Sequence, residues 1–190
     1  MKSETRNALN QVIRECLERR QKGPRDRTRI RGRLSYTLRG PDGRIKAQGA
    51  NDNIVTDKGD ELFASLSYTA APTFNIKLGK ATTAPSKTYN NAGAWIADAD
   101  SENDAQRAME ATYPKVKAGA GNENIVQYKS VYGAGVATET WNRAALVDSN
   151  ENNPTDGTLT YAIALLDPRP VAKGSDDTLE VLWEITFTGS

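Results

Sequence analysis

The clearest alternation of apolar and polar positions lies near the end of the chain, in TLEVLWEITFT from Thr178 to Thr188. Leu179, Val181, Trp183, Ile185 and Phe187 alternate with Thr178, Glu180, Glu184, Thr186 and Thr188, and only Leu182 breaks the pattern. Successive side chains of a strand point to opposite faces, so this segment predicts a long strand with one buried face. Its Val, Ile, Trp, Phe and Thr also suit a pleated, half-buried surface. Such a strand needs partners on its edges and a layer over its face.

The rest of the chain supplies both. Ile30, Leu34, Tyr36 and Leu38 set one face of a strand over Thr28–Arg39, and Pro41-Asp42-Gly43 is a turn signal. Arg44–Ala50 then returns as the second strand of a hairpin. Thr56 or Asp57 can cap a short helix with Asp60 and Glu61 in its first turn and Leu62, Phe63 and Leu66 as its apolar stripe. Phe74–Gly79 predicts another strand. Residues 80–104 form a long polar segment whose only apolar anchor is Trp95-Ile96. Gln106–Lys117 predicts a strand, with a helix as the rival. Asn124–Thr140 predicts one long strand loosened by Gly133 and Gly135; Trp141–Val147 and Thr158–Leu166 predict two more. Pro168 to Pro170 reads as a connector into the final strand. About eight strands with short helices indicate a mainly β chain, an antiparallel β-sandwich, with a partly closed barrel as the alternative.

The N-terminus differs in kind. Leu9, Val12, Ile13, Cys16 and Leu17 fall at helical spacing on one stripe between Ser3 and Gln21, and Gly23-Pro24 ends the run. An isolated helix of this length is marginal in water, so its stripe must dock, on its own domain or on a neighbour. The segment RDRTRIRGR follows, with Arg25, Arg27, Arg29, Arg31 and Arg33 at every second position. In an extended chain the five guanidiniums share one face about 6–7 Å apart. Their forks match carboxylates and phosphates alike. Alternatively they form a solvated face that discourages edge pairing. The division is a basic helical arm, residues 1–27 with Arg19 and Arg20, and a β-sandwich domain, residues 28–190.

Charge sharpens this division. The 190 residues carry a net charge of +1, yet residues 1–46 hold 14 Lys/Arg against 5 Asp/Glu, while residues 47–190 hold 11 against 19. A basic arm on an acidic body suggests an interaction segment that engages acidic protein surface, including that of a second copy. No aromatics interleave the arginines, so single-stranded nucleic acid is a poor fit.

The chemistry of catalysis is sparse. The chain has no histidine and one cysteine, Cys16. This removes the commonest general base and metal ligand and any internal disulfide. No phosphate-binding glycine motif or nucleophile elbow occurs. Asp98, Asp100, Glu102 and Asp104 alternate in DADSEND but lack the glycine and terminal glutamate of a calcium loop. The reading is non-enzymatic, with no cofactor and no metal. No run of 18 apolar residues suggests a membrane span, and MKSETRNALNQ has no apolar core of a secretory signal.

Four blocks, in order, resemble one family. NIVTDKGDELFASL, FNIKLGKATTAPSKTY, TETWNRAALVDSNENN and LDPRPVAKGSDDTLEVLWEITF are similar to elements of tailed-bacteriophage virion structural proteins, over roughly residues 30–190. The chain departs from them at Trp141-Asn142-Arg143 and in its basic helix. The resemblance implies a virion protein that assembles with other virion proteins. Its location would be a capsid accessory (decoration or cement) position docked through the basic arm on the major capsid protein. The alternative is a tail, neck or baseplate position. A homo-oligomer is expected in either. A carbohydrate- or receptor-binding module is a further alternative, with Tyr89, Trp95 and Tyr132 as its candidate aromatics.

Overall fold

The computed structural model describes residues 29–66, 71–80, 84–89, 105–148, 159–167 and 170–188. The chain divides into two compact units, residues 1–29 with 188–190 and residues 30–187. The predicted helix over 3–21 and the segment 90–104 lie outside the described residues.

Among the described residues there are eleven strands and one helix. They are β1 (Arg29–Arg39), β2 (Ile45–Val55), α1 (Asp57–Ser65), β3 (Phe74–Gly79), β4 (Gln106–Ala108), β5 (Lys115–Val116), β6 (Ile125–Tyr132), β7 (Thr140–Trp141), β8 (Arg143–Asp148), β9 (Thr160–Leu165), β10 (Val171–Ala172) and β11 (Thr178–Thr188). Nine strands make one sheet in the order β4-β3-β8-β9-β2-β1-β11-β6-β5, and β7 pairs with β10 separately. The fold is mainly β, a large curled antiparallel sheet that fits both a sandwich and a partly closed barrel.

The curl has a definite hinge. β2 pairs with β1 along most of its length, from Ala47 opposite Leu38 to Asn53 opposite Gly32. It meets β9 only at Ile54 and Val55. The sheet therefore bends at β2 and lays one half over the other. The inward residues of β1, β6 and β11 (Leu34, Tyr36, Leu38, Tyr128, Tyr132, Leu179, Val181, Trp183 and Ile185) join Phe74, Ile76, Leu78, Ala144 and Leu146 in one core. Burying each large aliphatic side chain stabilises by about 1.5–3 kcal/mol, so this face drives the fold. The halves are tied where β6 meets β3 and β4. The Tyr132 hydroxyl donates to the Ile76 carbonyl at 2.7 Å, Glu110 N–H to the Lys129 carbonyl at 2.8 Å, and the Phe74 and Tyr128 rings meet edge to face at 5.0 Å.

Local chemistry explains the elements. Thr56 caps α1, its hydroxyl accepting from Gly59 N–H at 3.1 Å, and Asp57 and Asp60 sit in the first turn. The β1–β2 hairpin closes with Gly43 at φ 77°, a conformation that favours glycine. A bulge follows, because Arg39 pairs with Ile45 while Leu38 pairs with Ala47, so Lys46 is the extra residue.

Several predicted boundaries are corrected. The single strand over Gln106–Lys117 is two short strands, β4 and β5, separated by a turn in which Tyr113 N–H bonds the Glu110 carbonyl. Alternation at Met109, Ala111 and Tyr113 was thus a turn's pattern. The long strand over Asn124–Thr140 stops at Tyr132. Beyond it, Gly135 N–H turns to the Ser175 carbonyl and Ala137 takes φ 49°. The break at Asn142 splits Trp141–Val147 into β7 and β8; Asn142 N–H bonds the carbonyl of Gly79, the last residue of β3. β2 runs five residues past Ala50, and β10 went unpredicted because two residues carry no periodicity.

Candidate interaction surface

The surface grows from β1. Its even positions face the core, so Arg29, Arg31, Arg33 and Arg39 must face out, and all four are exposed. Of the predicted arm residues, Arg29, Arg31 and Arg33 are thus placed on one strand face. Leu9, Val12, Ile13, Cys16, Leu17, Arg19, Arg20, Arg25 and Arg27 lie outside the described residues.

The neighbouring strands supply acids on the same face. Asp52 stands directly opposite Arg33 in the β1–β2 register. On β11, Glu180 and Glu184 occupy the outward positions. Burial works to raise the Glu184 carboxyl, but side-chain bonds from Gln127 and Lys117, with the charges of Lys117 and Arg33, outweigh it and hold the carboxyl below its usual range. Lys117 lies 2.9 Å and Gln127 2.8 Å from Glu184, and Lys129 lies 2.7 Å from Glu180. The two glutamates are therefore committed to β5 and β6. Arg29, Arg31 and Arg33 make no ion pair within 4 Å among the described residues, which leaves their forks available to an outside carboxylate.

The sequence showed which β1 arginines share a face. It could not show Asp52 and Glu184 beside them, because that depends on strand order. The one available signal was the outward position of Glu180 and Glu184 in the alternating final strand.

Other candidate chemistry is weaker. A groove of about 600 Å³ beside α1 is lined by Lys58, Glu61, Leu62, Leu159 and Tyr161, and its two charges pair with each other at 2.6 Å. Among the described residues no group of three or more acids or cysteines could hold a metal ion, and no helix is long and apolar enough to cross a membrane. Tyr132, a candidate for stacking on sugars, is fully buried with its hydroxyl bonded to Ile76, so it is a core residue. Tyr89 packs against a small apolar cluster of Ala145, Val147 and Ile163, and Trp95 lies outside the described residues.

Comparison with protein-family models, with curated proteins and with solved structures finds no match.

Proposed function

We propose that this chain is a non-enzymatic structural protein of a tailed-bacteriophage particle, a capsid accessory protein that docks through its basic N-terminal region onto acidic protein surface. The observation that carries the reading is the outward row of Arg29, Arg31 and Arg33, unpaired among the described residues, on a strand whose other face is core. A rigid strand presents those forks at fixed spacing, which favours bidentate carboxylate recognition over loose charge attraction. Electrostatic complementarity of this kind speeds encounter and fixes register, while buried area elsewhere holds the complex. The sequence resemblance to virion proteins supplies the particle.

The test is mass spectrometry of particles produced from the genome that encodes the chain, for wild type and the triple variant R29Q/R31Q/R33Q. Wild-type protein should copurify with particles, and the variant should fold but be depleted. Absence of wild type from particles, or full retention of the variant, overturns the reading. Antibody labelling of the same particles separates a head location from the tail, neck or baseplate alternative.

A further inference from the structure

A different part of the molecule carries unspent polar chemistry. On β3 the residues that face away from the core are Asn75 and Lys77. The register sets Lys77 beside Gln106 on β4 and beside Ala145 on β8. These positions share a face with Val147, Arg143 and Ile163, and among the described residues of β3, β4, β8 and β9 no aspartate or glutamate lies on it. The face is covered: Lys77 is 3 % exposed and Gln106 is 7 % exposed. Both amide atoms of Gln106 and the Asn75 Oδ1 are buried without a hydrogen-bond partner. Lys77 makes no hydrogen bond or ion pair among the described residues. Burial lowers the pKa of its ammonium, which is what an uncompensated buried cation does. Unpaired buried polar groups are costly, and three such atoms beside the Lys77 ammonium, on neighbouring positions of two strands, call for a common partner.

We propose that Lys77, Gln106 and Asn75 form a receptor for one carboxylate group. The ammonium of Lys77 pairs with the carboxylate. Gln106 Nε2 donates a second bond, and the amide oxygens of Gln106 and Asn75 accept from the water that arrives with it. The apolar floor of Ala145, Val147 and Ile163 keeps the local dielectric low, so a single charge pair is strengthened there. This inference is independent of the particle reading, because it uses the opposite half of the sheet from the arginine row. The carboxylate can come from a small organic acid or from an acidic side chain of another protein.

The experiment is thermal unfolding of the full chain in sodium acetate against sodium chloride at equal ionic strength, with Lys77→Met and Gln106→Leu alongside. Acetate should raise the wild-type midpoint saturably, by about 3–6 °C at tenfold its dissociation constant. Lys77→Met should abolish the response and Gln106→Leu should weaken it. Identical midpoints in the two salts, or an undiminished response in Lys77→Met, overturns the proposal. Should Lys77→Met not fold, the Gln106→Leu response decides. A glutamate-rich peptide run in parallel assigns the source. Stabilisation at concentrations where acetate has no effect indicates a protein-borne carboxylate, and the reverse a small acid.

Discussion

Lys46 and Asp177 form a 2.7 Å ion pair between the β1–β2 hairpin and the turn that launches β11. The pair is asymmetric: the lysine side chain is 51 % exposed and the aspartate 4 %. Asp177 Oδ2 also accepts from Gly174 N–H at 2.9 Å, while Asp177 N–H bonds the Gly174 carbonyl. Lys173, buried beside it, donates to the Gly133 carbonyl at 2.8 Å. One carboxylate thus organises the tight turn before the longest apolar strand and anchors the hairpin to it. The bulge at Lys46 has a purpose in this light, since the extra residue takes the lysine out of the strict alternation of β2.

This geometry sets a pH dependence. The bond from Lys46 is the main cause that lowers the Asp177 pKa, followed by the Gly174 N–H bond. A carboxylate whose folded pKa is depressed contributes stability above its unfolded pKa, near 3.9, and that contribution is lost as pH falls through the folded value. Asp177→Asn should therefore lower the unfolding midpoint at neutral pH, with the gap from wild type closing below about pH 4. Circular dichroism melts from acid to neutral pH check this. A gap that persists unchanged into strong acid would remove the ion pair as its cause.

Charge on β1 should separate folding from association. Arg31 and Arg33 are exposed, so Arg31→Gln with Arg33→Gln, which removes their charge without setting a carboxylate opposite Asp52 or near Glu184, should move the unfolding midpoint little, within about 1 kcal/mol. Docking to an acidic partner should be lost, and wild-type docking should weaken as salt rises and screens the pairs. Melting curves and particle binding measured on the same preparations distinguish the two effects. A destabilised variant would mean that the arginines serve the fold.

Legibility of the sequence followed the strength of local periodicity. β11 runs over the eleven residues its alternation predicts, and Thr56 caps α1 as its residue type suggests. The arginines of β1 face out because Leu34, Tyr36 and Leu38 face in. What escaped depends on partners distant in sequence. Gly133 and Gly135 interrupt what alternation alone extends to Thr140, because Gly135 N–H finds Ser175 instead of a strand neighbour. Lys77 in FNIKLG looks like the polar face of a half-exposed strand, yet that face is covered. Nothing within six residues of sequence distinguishes a solvated lysine from a buried one.

The tyrosines give a second pH reading. Burial pushes Tyr128 up to about 12; burial, helped by the Asp148 charge, does the same to Tyr161. Burial raises Tyr132 well above 10, against a small opposing effect of Arg107. A raised folded pKa means stability fully present below the unfolded value near 10 and lost as pH rises through the folded one. Of the seven tyrosines, these three should stay un-ionised where an ordinary phenol titrates, near pH 10, with Tyr128 and Tyr161 titrating at about 12, and alkaline unfolding should release them together. Absorbance at the phenolate band, compared with far-ultraviolet circular dichroism over the same titration, tests this. Smooth ionisation of all seven near pH 10 in folded protein contradicts the burial.

The tie across the curled sheet should show in Tyr132→Phe. The substitution removes the hydroxyl that reaches the Ile76 carbonyl at 2.7 Å and leaves the ring's packing in place. The cost should be about 1–3 kcal/mol, the penalty for stranding one buried partner. Chemical denaturation with an unchanged slope is the measurement, and a neutral result would mean that water replaces the bond.

Gly59 offers a case where helix propensity and packing predict opposite signs. Within a helix, replacing glycine with alanine ordinarily stabilises by up to about 1 kcal/mol, and Gly59 is the third residue of α1. Here a Cβ on Gly59 would stand 2.0 Å from the Tyr161 carbonyl oxygen and 2.9 Å from its carbonyl carbon. Those atoms are backbone of β9, a strand paired on both sides, so they cannot swing away as a side chain would. The helix must lift instead, pulling Phe63 from its buried place and from its edge-to-face contact with Phe187 at 5.6 Å. Overpacking of this kind costs about 1–3 kcal/mol, which exceeds the propensity gain. Gly59→Ala should therefore destabilise, while Ala64→Gly on the same helix should destabilise only by its propensity. Equilibrium denaturation of the two variants decides it, and a stabilised Gly59→Ala would show that α1 has room to move off the sheet.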